Sequence, residues 1–236
     1  MIRIVLIGTE GEINLGMIAR IAGNFCINEL YLVSPQADIG NEAVRYSVRA
    51  ADILKRSVIV DSLERALDGV DVSFCSTAIK RGGDFLRKTI ELNSVIQIVE
   101  KLIPSKVAFV FGRESTGLTR GELARCDYRF TIETCPSYPT LNLANSVAIT
   151  MYEIYRNITR KPLHEGLSGN KFIEQRNRLI TVFEHLSSQV FRDEYRVKNS
   201  KLLAMKLADP RFLDDVEIGL LLTLMSRLKG RLERCS

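Results

Sequence analysis

The chain has 236 residues, 46% of them hydrophobic and 26% charged, with a formal net charge of +5. That balance supports a buried core and excludes a disordered or fibrous protein, and the length suits one large domain or a medium domain with an appendage. The charge is unevenly placed: about 18 Lys and Arg stand against about 18 Asp and Glu up to Arg156, and about 15 against 10 beyond it. A basic appendage on a neutral body is the footprint of a polyanion partner, and equally the surface of a solvated helical unit. Charge alone leaves both open.

Five cysteines, Cys26, Cys75, Cys126, Cys135 and Cys235, show no paired spacing and read as free thiols of a reducing cytosol. The apolar start Ile4–Gly8 meets Glu10 and Glu12 at once, unlike a secretory leader. The run Ile218–Met225 is too short to span a bilayer. The expectation is a soluble, cytoplasmic protein without a membrane partner.

In chain order, Ile2–Gly8, Leu30–Val33, Ser57–Val60, Val70–Cys75 and Val107–Gly112 read as buried strands. Such near-continuous apolar runs suit a parallel sheet covered on both faces. Between them Asn14–Phe25, Glu42–Val48, Ser62–Leu67 and Leu92–Leu102 carry helical spacing of apolar residues. Asp61-x-x-Glu64 and Thr119-x-x-Glu122 have the form of capping boxes. The alternation predicts an α/β fold with a mostly parallel sheet over residues 1–160. Ligands collect beyond the carboxyl ends of such strands, which directs attention to the loops after Gly8, Cys75 and Phe111. Residues 161–169, with Pro162, Gly166 and Gly169, read as a linker. The remainder, 170–236, reads as a helical extension: Phe172–His185, Asn199–Leu207 and Asp214–Glu233, the last two separated at Asp209-Pro210.

Common enzyme signatures are missing. There is no phosphate-binding G-x-x-x-x-G-K-[ST] loop, no G-x-G-x-x-G after the first strand and no G-x-S-x-G elbow. The two histidines, His164 and His185, stand in no Cys/His cluster, so no metal is expected. Three other segments carry chemical potential. Asn14-Leu15-Gly16-Met17-Ile18-Ala19-Arg20 follows the first strand, where Asn14 could cap a helix and Arg20 could fork onto a phosphate or stand as a surface charge. Phe111-Gly112-Arg113-Glu114-Ser115-Thr116-Gly117-Leu118 leaves a buried strand through Gly112, which permits close approach to a ligand or a positive φ. Pro136 and Pro139 stiffen the loop before Thr140-Leu141-Asn142-Leu143, where a long amphipathic helix opens.

Together these segments, Asn-x-Gly-x-x-x-Arg, Phe-Gly-x-Glu-x-x-Gly-Leu and Leu-Asn-Leu-x-x-x-Val with Tyr152-Glu153, resemble the three ordered motifs of the SpoU group of SPOUT methyltransferases. The resemblance covers most of residues 1–156 and is most specific in the second and third motifs together. It implies a SPOUT fold with a C-terminal trefoil knot, S-adenosylmethionine as methyl donor with S-adenosylhomocysteine as product, and a homodimer sharing its active site. Asn24-Phe25, Leu30-Tyr31-Leu32-Val33-Ser34-Pro35 and Thr77-Ala78-x-x-Arg81, with the helical extension, are similar to the TrmJ branch. That branch methylates the ribose 2′-OH of nucleotide 32 in the tRNA anticodon loop, cytidine alone or cytidine and uridine, and its extension serves tRNA binding and dimer contacts.

By the same resemblance Thr77, Ala78, Gly112, Glu114, Ile132, Thr140 and Leu141 hold the cofactor, and Arg20, Asn14, Glu114, Thr140 and Asn142 form the catalytic set. Thr140 stands where the group usually has serine; the hydroxyl is kept and a methyl added. Arg20, with Lys80, Arg81, Arg87 and Lys88 of a basic loop, contacts RNA. A guanidinium keeps its proton in proteins, so Arg20 serves as a clamp on the ribose and phosphate, with phosphate assisting proton removal. The competing readings are another tRNA position, ribosomal RNA, and a non-catalytic RNA-binding homologue. A Rossmann-type methyltransferase is disfavoured by the missing glycine-rich first turn.

Overall fold

The computed structural model describes residues 1–78, 89–102, 105–160 and 169–235, and they form two compact units. The first comprises Met1–Val99 with Lys106–Pro162, the second Glu100–Ser105 with Leu163–Ser236.

The first unit is built on seven strands: β1 (Ile2–Ile7), β2 (Glu29–Val33), β3 (Val58–Val60), β4 (Val72–Ser76), β5 (Ile90–Glu91), β6 (Val107–Phe111) and β7 (Tyr128–Thr131). Their order is β3-β2-β1-β6-β4-β7-β5, and every pairing is parallel. Central β6 is buried along its whole length, as is β1 from Arg3 onward, so both need apolar residues on both faces. At the edge, β3 leaves Val58 and Ile59 exposed. Two strands escaped the sequence reading, β5 and β7. The first has two residues, and the second breaks its apolar run with Arg129.

The helices of this unit are α1 (Glu12–Asn24), α2 (Asn41–Ser47), α3 (Ala51–Lys55), α4 (Leu63–Ala66), α5 (Leu92–Leu102, in this unit up to Val99), α6 (Arg120–Arg125) and α7 (Leu143–Arg160), with a 3-10 turn at Val48–Ala50. Gly16 is explained by helix packing: a Cβ there would stand 2.3 Å from the Ala43 carbonyl oxygen, so α1 and α2 can approach only through a glycine. Under the sheet, Phe74 stacks on Phe109 and Tyr128, each at 5.2 Å between ring centroids, and Phe130 meets Phe109 edge-on. Arg3 is buried on β1, yet its Nε donates to Glu29 at 2.7 Å and its Nη1 to the carbonyls of Ala66 and Asp68. A charge so deep in the fold is tolerable because it is paired with Glu29 and its Nη1 is held by two carbonyls.

Two local expectations are corrected. Helix α4 is capped by Ser62, whose Oγ accepts from the Arg65 amide, and Asp61 instead pairs with the Arg65 guanidinium at 3.0 Å. Cys75 and Cys126, read from spacing as free thiols, form a disulfide across 51 residues with their Cα atoms 5.9 Å apart. Their nearness comes from α6 delivering the chain back onto β4, which no spacing rule anticipates. Cys26 and Cys135 are free.

The second unit contains α8 (Gly169–Val190), α9 (Glu194–Leu207) and α10 (Asp215–Cys235), with α9 and α10 both packing on α8. Phe172, Ile173, Leu179, Leu202, Ile218 and Leu222 are buried. Asp193 caps α9 through the Tyr195 amide at 3.0 Å. Among the described residues no helix is long and apolar enough to cross a membrane.

Candidate active site

Because the strands are parallel, β4, β6 and β7 end on the same side of the sheet, and their following loops enclose a cavity of about 550 Å³. That volume lies within the range of small-molecule sites. Its wall comes from Ser76–Ala78, Phe111–Arg120, Leu123, Arg129, Thr131–Ile132, Pro139–Leu141, Leu143 and Ser146.

The loop after β6 is shaped by its glycines. The Gly117 amide donates to the Arg113 carbonyl at 2.9 Å, and the Arg113 amide returns to the Gly117 carbonyl at 3.3 Å. Gly117 takes φ +67°, which a β-carbon disfavours. At Gly112 a Cβ would lie 2.3 Å from the Gly117 carbonyl carbon and 2.5 Å from the Leu118 nitrogen. Glycine is required there so that the chain can fold back on itself. Its φ is not in the left-handed region, one of the two uses the sequence suggested.

Arg113 holds this loop to α6. Its Nη1 and Nη2 reach Glu122 Oε2 at 3.2 Å and Oε1 at 3.1 Å. Glu122 also closes the capping box expected from sequence: the Thr119 amide donates to Oε2 at 2.7 Å, and the Glu122 amide donates to Thr119 Oγ1 at 3.3 Å. Burial works to raise the Glu122 pKa, but hydrogen bonds from Arg113 and Thr119 prevail and hold it below the ordinary carboxylate value.

The three sequence motifs meet at Glu114. Its Oε2 accepts the Glu10 amide at 2.9 Å; its Oε1 accepts the Gly11 amide at 3.3 Å and Asn14 Nδ2 at 2.7 Å. The carboxylate accepts only, so the Asn14 amide must turn its nitrogen toward Glu114 and its oxygen away. That oxygen accepts Asn142 Nδ2 at 3.2 Å, which in turn directs Asn142 Oδ1 to the amides of Ala144 and Asn145 at the start of α7. One negative charge thus orients two side-chain amides and caps a helix. A reciprocal bridge runs beside it: Glu10 accepts the Ser115 amide at 3.2 Å and the Ser115 hydroxyl at 2.5 Å.

Of the residues singled out from sequence, Thr77, Ala78, Gly112, Glu114, Ile132, Thr140 and Leu141 all line the cavity. Asn14 and Asn142 join it through Glu114. Asn14 does not cap α1, whose N-cap is Gly11 without a side-chain bond. Arg20 is on the same helix. It lies well along α1, exposed, and makes no hydrogen bond or ion pair among the described residues. Lys80, Arg81, Arg87 and Lys88 fall outside the described residues. No group of three or more His, Cys, Asp or Glu among the described residues could hold a metal ion.

Sequence reasoning missed Glu10, Ser115, Arg113 and Arg129. Glu10 and Ser115 look like ordinary surface residues until two loops more than a hundred residues apart are brought together, and Arg113 finds Glu122 only once the β6 loop folds back on α6. Arg129 is 8% exposed on β7, and its Nε donates to the Leu123 carbonyl at 2.8 Å. Burial lowers its pKa against the opposing field of Asp127. A charged residue between Tyr128 and Phe130 was the available signal.

The SpoU rRNA methylase family model matches residues 1–152, and the chain belongs to that family. Among its relatives, a tRNA (cytidine-2′-O-)-methyltransferase TrmJ from Sulfolobus acidocaldarius is 38% identical over 182 residues, 76% of each chain. The TrmJ protein of the same description from Methanocaldococcus jannaschii is 30% identical over 232 residues, 97% of this chain and 99% of that one. A solved structure of a probable methylase family protein from Haemophilus influenzae Rd KW20 is 26% identical with a TM-score of 0.68, covering 100% of this chain and 98% of the other.

Proposed function

We propose that this chain is an S-adenosylmethionine-dependent tRNA methyltransferase acting on the ribose 2′-OH of nucleotide 32 in the anticodon loop, with cytidine, alone or together with uridine, as the accepted base. The observation that carries the reading is the meeting of three motifs around one cavity, through Glu114, Asn14 and Asn142, in a chain of the SpoU family. Relatives described as tRNA 2′-O-methyltransferases, one of them matching nearly the whole chain, support the substrate class.

The cavity residues suit the donor. Leu118, Ile132 and Leu141 offer an apolar wall for a base, Thr77, Thr119 and Thr140 offer hydroxyls, and the buried guanidinium of Arg129 offers charge. When bound, S-adenosylmethionine supplies an electrophilic methyl group on a sulfonium, which an attacking oxygen takes in line. The chain's own residues set the geometry. Glu114 holds the loops after β1 and β6 in register, and Asn142 positions the start of α7 beside Thr140 and Leu141. Such fixed orientation of reacting groups is a principal source of rate. Arg20 clamps the target ribose and its phosphate through its planar fork, while the phosphate assists removal of the hydroxyl proton.

The same reading includes a trefoil knot formed by the chain around the cavity, a cytoplasmic location with its tRNA, and a homodimer whose active site is shared. Support for the dimer comes from α1 and α7, which leave Ile13, Ile149, Tyr152 and Tyr155 exposed although the two helices pack together. Ile13 and Arg20 lie seven apart and share that face of α1. The second unit and the basic loop of Lys80, Arg81, Arg87 and Lys88 contribute the remaining tRNA contacts.

Incubating total tRNA with labelled S-adenosylmethionine, then mapping the product by nucleoside mass spectrometry, tests the reading. A 2′-O-methylated nucleotide 32 is expected. Label at another tRNA position or in ribosomal RNA moves the substrate, and tight RNA binding without transfer makes the chain a non-catalytic homologue.

A further inference from the structure

We propose that Arg129 is the anion subsite of the cavity, donating from its guanidinium to the carboxylate at the methionyl end of the cofactor. The inference rests on the reading of the cavity as the S-adenosylmethionine site.

Arg129 is more than nine-tenths buried and lines the cavity. Its Nε is spent on the Leu123 carbonyl at 2.8 Å, which sets the plane of the guanidinium. Its Nη2 is buried and has no hydrogen-bond partner. An unpaired buried cation is costly, and its N–H groups forfeit the water they would have outside. The carboxylates of this region are already engaged. Asp127 accepts from the Ser73 amide at 2.8 Å and the Ser73 hydroxyl at 2.7 Å. Glu122 is held by Arg113 and Thr119, and Glu114 by three donors. No ion pair joins Arg129 to any of them among the described residues. Asp127 lends its field but no hydrogen bond, so a guanidinium donor is left for what enters the cavity.

S-adenosylmethionine carries one anionic group, its carboxylate, beside two cationic ones, the ammonium and the sulfonium. A guanidinium in the wall attracts the first and repels the other two, so it sets the direction in which the molecule lies. The carrier is rigid: Arg129 sits mid-strand on β7, in register with Cys75 of β4. A binding group on a strand holds its geometry better than one on a loop. Lysine would keep the charge but lose the planar fork.

The test compares S-adenosylhomocysteine with 5′-methylthioadenosine, which keeps the nucleoside and thioether but lacks the carboxylate. Isothermal titration of the full chain should show tighter binding of S-adenosylhomocysteine. Arg129→Met should weaken that ligand by roughly 10- to 100-fold, the size of a lost charge-assisted hydrogen bond, and leave methylthioadenosine within about twofold. Arg129→Lys should fall between, and serves alone if the Met variant does not fold. Equal losses for both ligands would make Arg129 structural and overturn the proposal. So would wild-type protein that binds the two ligands equally, although the cofactor reading would survive. Loss of tRNA affinity with unchanged S-adenosylhomocysteine binding would assign the guanidinium to an RNA phosphate instead. Wild-type protein that binds neither small molecule overturns the reading of the cavity itself.

Discussion

Asn14 and Arg20 belong to one motif on one helix, six residues apart, yet the structure treats them in opposite ways. Asn14 turns inward and is held at both ends, by Glu114 and by Asn142. Arg20 stands exposed beside Ile13 with nothing to hold. A six-residue step on an α-helix rotates by about 240°, so the two side chains cannot serve the same surface. The polar groups of this motif thus fall into an inward and an outward set. The network around Glu114 is closed within one chain, its carboxylate and the two asparagine amides satisfying one another. Arg20 is presented outward, where, on the proposed function, RNA or a second copy would supply its partners.

The largest test of that division is Arg20→Ala. It should lower methyl transfer by about 10²- to 10³-fold, the usual scale for losing one transition-state donor. Melting temperature and S-adenosylhomocysteine affinity should stay unchanged; a drop in either would give Arg20 an inward role. Full activity in Arg20→Lys would dismiss the planar fork. On the inward side, Gly112→Ala drives a methyl into the Gly117 and Leu118 backbone. It should cost about 1–3 kcal/mol, read by denaturant titration, and weaken cofactor binding with it. Wild-type stability would mean that the loop need not close as seen.

Glu114→Gln sets an amide nitrogen against one of three donors, since the Glu10 and Gly11 amides and Asn14 all need acceptors. A loss of about 1–3 kcal/mol should accompany it, with tRNA affinity little changed. Neutralising Lys80, Arg81, Arg87 and Lys88 together should do the reverse. It should weaken tRNA binding by about tenfold and flatten its salt dependence without moving the melt. An unchanged salt slope would remove these four charges from the proposed RNA contacts.

The smallest effect concerns acid. Glu122 has a folded pKa below its ordinary 4.5, so its contribution is complete above 4.5 and is lost as pH falls through the lowered value. Glu122→Gln should cost about 1 kcal/mol at neutral pH, the worth of a cap, and flatten the acid limb of the stability curve. A variant with the same acid limb as wild type would place the acid sensitivity elsewhere, Glu29 with its Arg3 and Lys106 partners being the next candidate.

Much of the fold is written locally. Strands β1 and β6 show themselves as continuous apolar runs because both their faces are covered, and Thr119-x-x-Glu122 announces α6 because a capping box closes within four residues. The same locality makes its own errors. Ser62 and Asp61 compete for one helix start, and only backbone geometry chooses Ser62. Strand β7 is short and carries a charge, so it loses the pattern that marks its neighbours, although all four of its residues are buried.

What the sequence determined by itself was the alternation of strands and helices, the three motifs, and the residue types that a methyl-donor cavity would use. Those properties depend on neighbours within one turn or one strand. Which of these residues touch is fixed by long-range packing. Glu114 meets Asn14 from 100 positions away, Asn142 meets Asn14 from 128, and Cys75 finds Cys126 across 51. Such contacts follow from strand order and helix packing, where burial and the need to satisfy each polar group act on the whole chain at once. The opposite fates of Asn14 and Arg20 follow from the same cause.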